Sequence, residues 1–101
     1  MKARLVFNEK KIIEHVDSGE LAVAEIKIWQ VPKSNSYPEG LKYSLFLVTR
    51  GKVLVGFDNH SPKGHHLHIE DVQILYKFVS TDQLIADFWS LSKERGYKYE
   101  T

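Results

Sequence analysis

Three of the chain's five histidines, His65, His66 and His68, sit within four positions directly after the loop Ser61-Pro62-Lys63-Gly64. An imidazole takes up or releases a proton near neutral pH, so a pair of them suits a reaction that needs both a general base and a general acid. Cleavage of RNA through its own 2′-hydroxyl is such a reaction. One group removes the hydroxyl proton, another protonates the leaving 5′-oxygen, and a cation offsets the negative charge that builds on the phosphoryl oxygens. His66 and His68 are the candidate acid and base, Lys63 the cation, and Asp58 the carboxylate that orients an imidazole. The mechanism needs no metal and no other cofactor.

Alternation along a strand supplies the pairing. In an extended "HHLHI", Leu67 and Ile69 point to a core while His66 and His68 project from the opposite face, with His65 on the core side or in the turn. Val53, Val55 and Phe57 take the core face of the preceding strand, which leaves Asp58 on the side of the histidine pair. A hairpin through "DNHSPKGHH" then brings Asp58, Asn59 and Lys63 near the imidazoles.

Two other chemistries compete with this one. An H-x-H on a strand aims two imidazoles at one metal ion, with Asp58, His60 or Glu70 to complete the set. The pattern is similar to the cupin H-x-H, but Glu70 comes too early and no histidine follows His68, so we rank a metal-dependent enzyme lower. The third option is a non-catalytic face that meets a protein or nucleic acid, or simply faces water. Trp29, on the polar side of its strand with Glu25 and Lys27, is placed to stack on a nucleobase or to be covered by a loop. His15 looks incidental, Trp89 reads as the edge of a core or a partner contact, Tyr43 as structural, and "GYKYET" as a partner-binding end or a frayed terminus.

The elements that must carry these residues are mostly strands. "ARLVFN" and "KIIEHV" read as one bent strand or two, interrupted at "NEKK". After the turn "DSGE", Ala24, Ile26 and Ile28 alternate with polar neighbours and should face the core. "PKSNSYPEG" is a loop, and "LKYSLFLVTR" and "KVLVGFDNH" form an antiparallel pair through a short connection at Gly51. "VQILYKFV" supplies the last strand. Ser80 and Gln83 make the S-x-x-Q pattern of a capping box, and Leu84, Ile85, Phe88 and Leu91 form the apolar stripe of a helix that stops at Gly96. The expected fold is α+β, an antiparallel sheet of five or six strands with one C-terminal helix on one face.

Composition sets the limits. A chain of 101 residues, 43% hydrophobic and 27% charged, suits one globular domain over residues 1–101. The absence of cysteine excludes disulfides, thiolate metal sites and cysteine nucleophiles. No apolar run approaches the roughly 20 residues of a membrane span, so we expect a cytoplasmic protein with no membrane partner. A net charge of +1 is balanced, and any nucleic-acid role needs a local basic patch that the spacing of lysines and arginines does not display.

Over nearly its whole length the chain resembles the TumE-like toxins of bacterial and archaeal toxin-antitoxin pairs. The resemblance rests on "KARLVF", "IWQVP", "YSLFLV", "VGFDNHSPKGHHLH" and "YKFVSTDQLIADFW", above all on the D-N, K-G and H-x-H followed by F-V-S-x-x-x-L-x-x-D-F. It implies a small toxin whose helix-turn-helix antitoxin neutralises it and regulates the operon. Asp58, Asn59, Lys63, Gly64, His66 and His68 carry over, which adds Asn59 and Gly64, beside Trp29, as candidate substrate contacts. Leu67 departs from the pattern, since the family often carries arginine there, a residue type suited to phosphate. Ribonucleases are common among such toxins, which makes RNA the expected target. The sequence leaves self-association open.

Overall fold

The computed structural model describes residues 3–99. Lys2 of the opening run and Glu100 and Thr101 of the closing tail lie outside the described residues. Six strands follow one another in chain order: β1 (Arg4–Glu14), β2 (Leu21–Gln30), β3 (Leu41–Thr49), β4 (Lys52–Asp58), β5 (His66–Ile69) and β6 (Val72–Leu75). Each pairs antiparallel with its predecessor, so the sheet is a meander in the order β1-β2-β3-β4-β5-β6. One helix, α1 (Thr81–Glu94), closes the fold and contacts β4. The α+β arrangement of six strands and one C-terminal helix matches the expectation.

The period of two sorts the side chains as the physics of a half-covered sheet requires. Ala22, Ala24, Ile26 and Ile28 of β2 face α1 together with Tyr43, Leu45 and Leu47 of β3, Val55 and Phe57 of β4, and Leu67 of β5, all buried. Leu84 and Phe88 of α1 close this core, with the Phe57 and Phe88 rings edge to face. Ile85, Leu91 and Trp89 pack at its margin. Leu67 therefore lies in the core, on the face away from His66 and His68. An arginine at that position would not have pointed at the histidine pair.

Four expectations change in detail. β1 runs unbroken through Asn8–Lys11, and its irregularity falls earlier, where Val6 bulges between Leu5 and Phe7. A second bulge, at Leu54 between the pairs Leu47↔Val55 and Val48↔Val53, turns Val53 away from the core face it was expected to share with Val55. "VQILYKFV" is strand only to Leu75, after which Tyr76 and Phe78 leave the ladder and pack against the core. The capping box is half formed: Ser80 Oγ accepts from the Gln83 amide at 3.1 Å, but the Gln83 side chain donates to Asp87 instead of reaching back. The Arg50-Gly51 connection does form the expected hairpin, with both residues at positive φ as a primed two-residue turn requires.

The end of the chain is anchored as far as it is described. Tyr97 is buried and bridges His15, and Tyr99 stacks on Trp89 under the Lys11 ammonium. His15 is structural: its Nδ1 accepts from the Asp17 and Ser18 amides, and its ring lies against Gly96 and Tyr97. Among the described residues, no helix is long and apolar enough to cross a membrane.

Candidate functional site

The sheet face turned away from α1 carries the candidate residues in rows fixed by register. Lys27, Ser44, Asp58 and His66 lie side by side on β2 to β5, and Glu25, Phe46, Gly56 and His68 form the next row. Gly56 is the reason that second row can be flat. The Phe46 ring lies where a Cβ on residue 56 would sit, with Cε1 only 2.6 Å away, so a side chain there would have to displace it. The glycine leaves room for an aromatic ring beside His68's pairing partner.

At the rim, β4 ends on Asp58 and β5 begins on His66, opposite each other in the ladder. His66 Nε2 stands 2.9 Å from Asp58 Oδ1, and His68 Nε2 stands 4.0 Å from Asp58 Oδ2. One carboxylate thus addresses both imidazoles. The two rings are 5.0 Å apart, centroid to centroid, and nearly perpendicular. His66 is buried, whereas His68 keeps about a third of its side chain exposed, 31% against 5%. The more accessible base is His68.

Gly64 fixes the buried ring. With φ near +74° it takes a conformation that favours glycine, and its carbonyl accepts from His66 Nδ1 at 2.8 Å. A carbonyl can only accept, so Nδ1 carries the hydrogen and Nε2 is the nitrogen presented to Asp58. The contribution of Gly64 to the site is thus a backbone carbonyl that orients His66. Asp58 Oδ1 also accepts from the His60 amide, which holds the start of the loop.

Above these groups lies an open cleft of about 330 Å³ lined by Asp58, His66, His68, His60 and Lys63 with the Ser61-Pro62 turn. Lys63 is exposed and borders the same cleft as both imidazoles. His60, two residues after Asp58 and one of the residues the sequence offered to complete a metal set, borders the same cleft.

Asn59 has a different place from the one expected. It is 2% exposed, its Oδ1 accepts from the Tyr43 amide at 2.9 Å, and its Nδ2 donates to the Leu41 carbonyl at 2.8 Å. The side chain continues the β3–β4 ladder past the last residue of β4. Both of its polar ends are occupied by backbone. Trp29 is on the open face, half-buried, with the Lys42 ammonium 5.8 Å from its ring centroid. Two strand spacings and two residues separate it from Asp58, about 12 Å at ordinary ladder dimensions. It is outside the histidine cleft but on the same surface, with Lys27 and Lys42 between.

Sequence reading missed a second polar chain on the other side of the Ser61-Pro62 turn. His65 Nε2 stands 3.0 Å from Glu39 Oε2, and His65 Nδ1 stands 2.7 Å from the Tyr43 hydroxyl. The His65 ring is stacked on Phe78, which in turn stacks on Tyr43. Burial, with the nearby charges of Tyr76, Asp58 and Glu39 adding to it, pushes the Tyr43 phenol well above the ordinary tyrosine range. The chain ties β3 to the loop before β5. Nothing in "YPEG" marked Glu39 for this role.

Comparison with known proteins identifies a family. No curated protein and no solved structure matches the chain. The family described as toxin TumE matches residues 2–96, a span that includes every residue of the cleft and all seven elements. The chain belongs to the TumE toxin family.

Proposed function

We propose that this toxin is a metal-independent endoribonuclease whose reaction takes place over Asp58, His66, His68 and Lys63. Family membership implies a cognate antitoxin; we take it to be a helix-turn-helix protein, and RNA to be the substrate. The observation that carries the reading is one carboxylate held between two imidazoles at the floor of a cleft that a lysine also borders. Membership in a toxin family supports an activity harmful to the cell, and the acid-base equipment supports a hydrolytic or transesterifying one.

His68 removes the 2′-hydroxyl proton, since it is the exposed imidazole and its Nε2 is not held at hydrogen-bond distance by Asp58. His66, held by Gly64 and Asp58, returns a proton to the leaving 5′-oxygen. Asp58, 2.9 Å from His66 Nε2, orients that ring. Lys63 stands against the phosphoryl oxygens as charge accumulates. Trp29, Lys27 and Lys42 extend the surface and give flanking nucleotides an aromatic face and two cations to lie on.

The test is incubation of the purified protein with total RNA, with and without chelator. Cleavage that survives chelator and disappears in His68→Ala, with the fold intact by circular dichroism, is the expected result. Loss of cleavage on chelation sinks the metal-free mechanism. A protein that arrests growth but leaves RNA intact is a binding toxin. Growth arrest that persists in the double variant His66→Ala, His68→Ala removes the site assignment.

A further inference from the structure

The geometry points to a transition-metal site at Asp58, His66 and His68, with one coordination position open to the cleft. The three side chains offer one ligand atom each, and these atoms lie within 4.8 Å of one another. An ion bound tetrahedrally at about 2.1 Å holds its ligands about 3.4 Å apart. His66 Nε2 stands 2.9 Å from Asp58 Oδ1 and His68 Nε2 stands 4.0 Å from Oδ2. Drawing the set from within 4.8 Å to that spacing falls to His68, whose side chain is the more exposed of the two.

The strongest reason lies in His66. Its Nδ1–H is committed to the Gly64 carbonyl, the outer-shell bond that usually orients a metal-binding histidine. That leaves the Nε2 lone pair facing a carboxylate oxygen at 2.9 Å in a buried setting. Two lone pairs do not rest against each other at that distance. Either a second ring proton or a cation must stand between them, and an ion there binds His66, Asp58 and His68 together. Two imidazoles and one carboxylate suit ions of the zinc class and disfavour magnesium, which prefers oxygen alone.

His60 and Lys63 border the open side, so a water or phosphate oxygen has access to the fourth position. Under the proton-transfer mechanism proposed above, an ion on Nε2 of both histidines occupies the lone pairs that the reaction uses, and zinc silences cleavage. Only that consequence rests on the ribonuclease reading. The binding itself does not.

Equilibrium dialysis of the tag-free, full-length protein against Zn²⁺, after treatment with chelator, should find one ion per chain. His68→Ala and Asp58→Asn should each weaken binding more than about tenfold while thermal melts show the fold retained. Millimolar Mg²⁺ should not compete. Co²⁺ should give visible absorption bands that His68→Ala bleaches. No zinc bound, or binding unchanged in both variants, overturns the site. So does binding lost in His60→Ala and kept in Asp58→Asn, which moves the ion to surface imidazoles. A protein that binds zinc through these residues but never cleaves RNA keeps the site and loses the ribonuclease reading. Cleavage that survives chelator and is unaffected by bound zinc keeps the site and removes its silencing role.

Discussion

Replacing Asn59 with alanine should lower the stability of the fold by about 2–4 kcal/mol. The magnitude follows from its two bonds. Loss of the side chain strands the Tyr43 amide, which belongs to a residue 2% exposed, and a buried donor left without a partner costs about 1–3 kcal/mol. The Leu41 carbonyl belongs to a half-buried residue at the start of β3, where water can replace the lost donor, so its share is about 1 kcal/mol. For a domain of this size 3 kcal/mol corresponds to a fall of roughly 12–24 °C in melting temperature. Urea unfolding followed by circular dichroism measures it, with an unchanged denaturant slope showing that the native fold is retained. Asn59→Asp keeps the acceptor for Tyr43 but sets an anionic oxygen against the Leu41 carbonyl, and should be destabilised at least as much as the alanine variant. A loss below about 0.5 kcal/mol in both variants, the range of ordinary surface changes, refutes the reasoning. It would return Asn59 to the role of a substrate contact.

Gly56→Ala should cost about 1–3 kcal/mol because the new methyl group meets the Phe46 ring, and Phe46→Ala in the same chain should recover part of that loss in a double-mutant cycle. Because the Tyr43 phenol is raised above its ordinary value of 10.0, the folded chain keeps a proton that the unfolded chain gives up. Stability is then fully present below pH 10 and falls as pH rises beyond it, by up to about 1.4 kcal/mol per pH unit for this group, and urea midpoints of wild type and Tyr43→Phe should converge toward high pH. Ser80→Ala removes the oxygen that caps the Gln83 amide at the start of α1 and should cost about 1 kcal/mol by urea unfolding, whereas Ser80→Asp should cost little.

The parts of this structure legible in the sequence are those governed by local periodicity. Ala24, Ile26 and Ile28 face the core because alternate residues of a strand must, and the same rule puts His66 and His68 on one face and leaves His65 to the other. Asp58 followed from counting one residue onward from Phe57 along β4. What escaped was set by tertiary partners. Val53 changed faces because a one-residue bulge at Leu54 inverts the alternation, and a bulge has no dependable residue signature. Asn59 is expected beside the imidazoles from the hairpin and as a substrate contact from the family resemblance, yet its side chain bonds the backbone of β3. Glu39 and Tyr43, 26 and 22 residues from His65, meet it only because β3 and β5 flank β4.

The strictly sequential sheet order also bears on when the toxin comes into being. Each strand of the meander pairs with the one made just before it, so hairpins can zip together as the chain emerges from the ribosome. The apolar face of Ile26, Leu45 and Phe57 nevertheless stays wet until α1, later in the chain than every strand, arrives to cover it. The Asp58–His66 pairing is held only as firmly as that sheet. Synthesis therefore has an order: the residues of the cleft are all made before the helix that completes the core beneath their sheet.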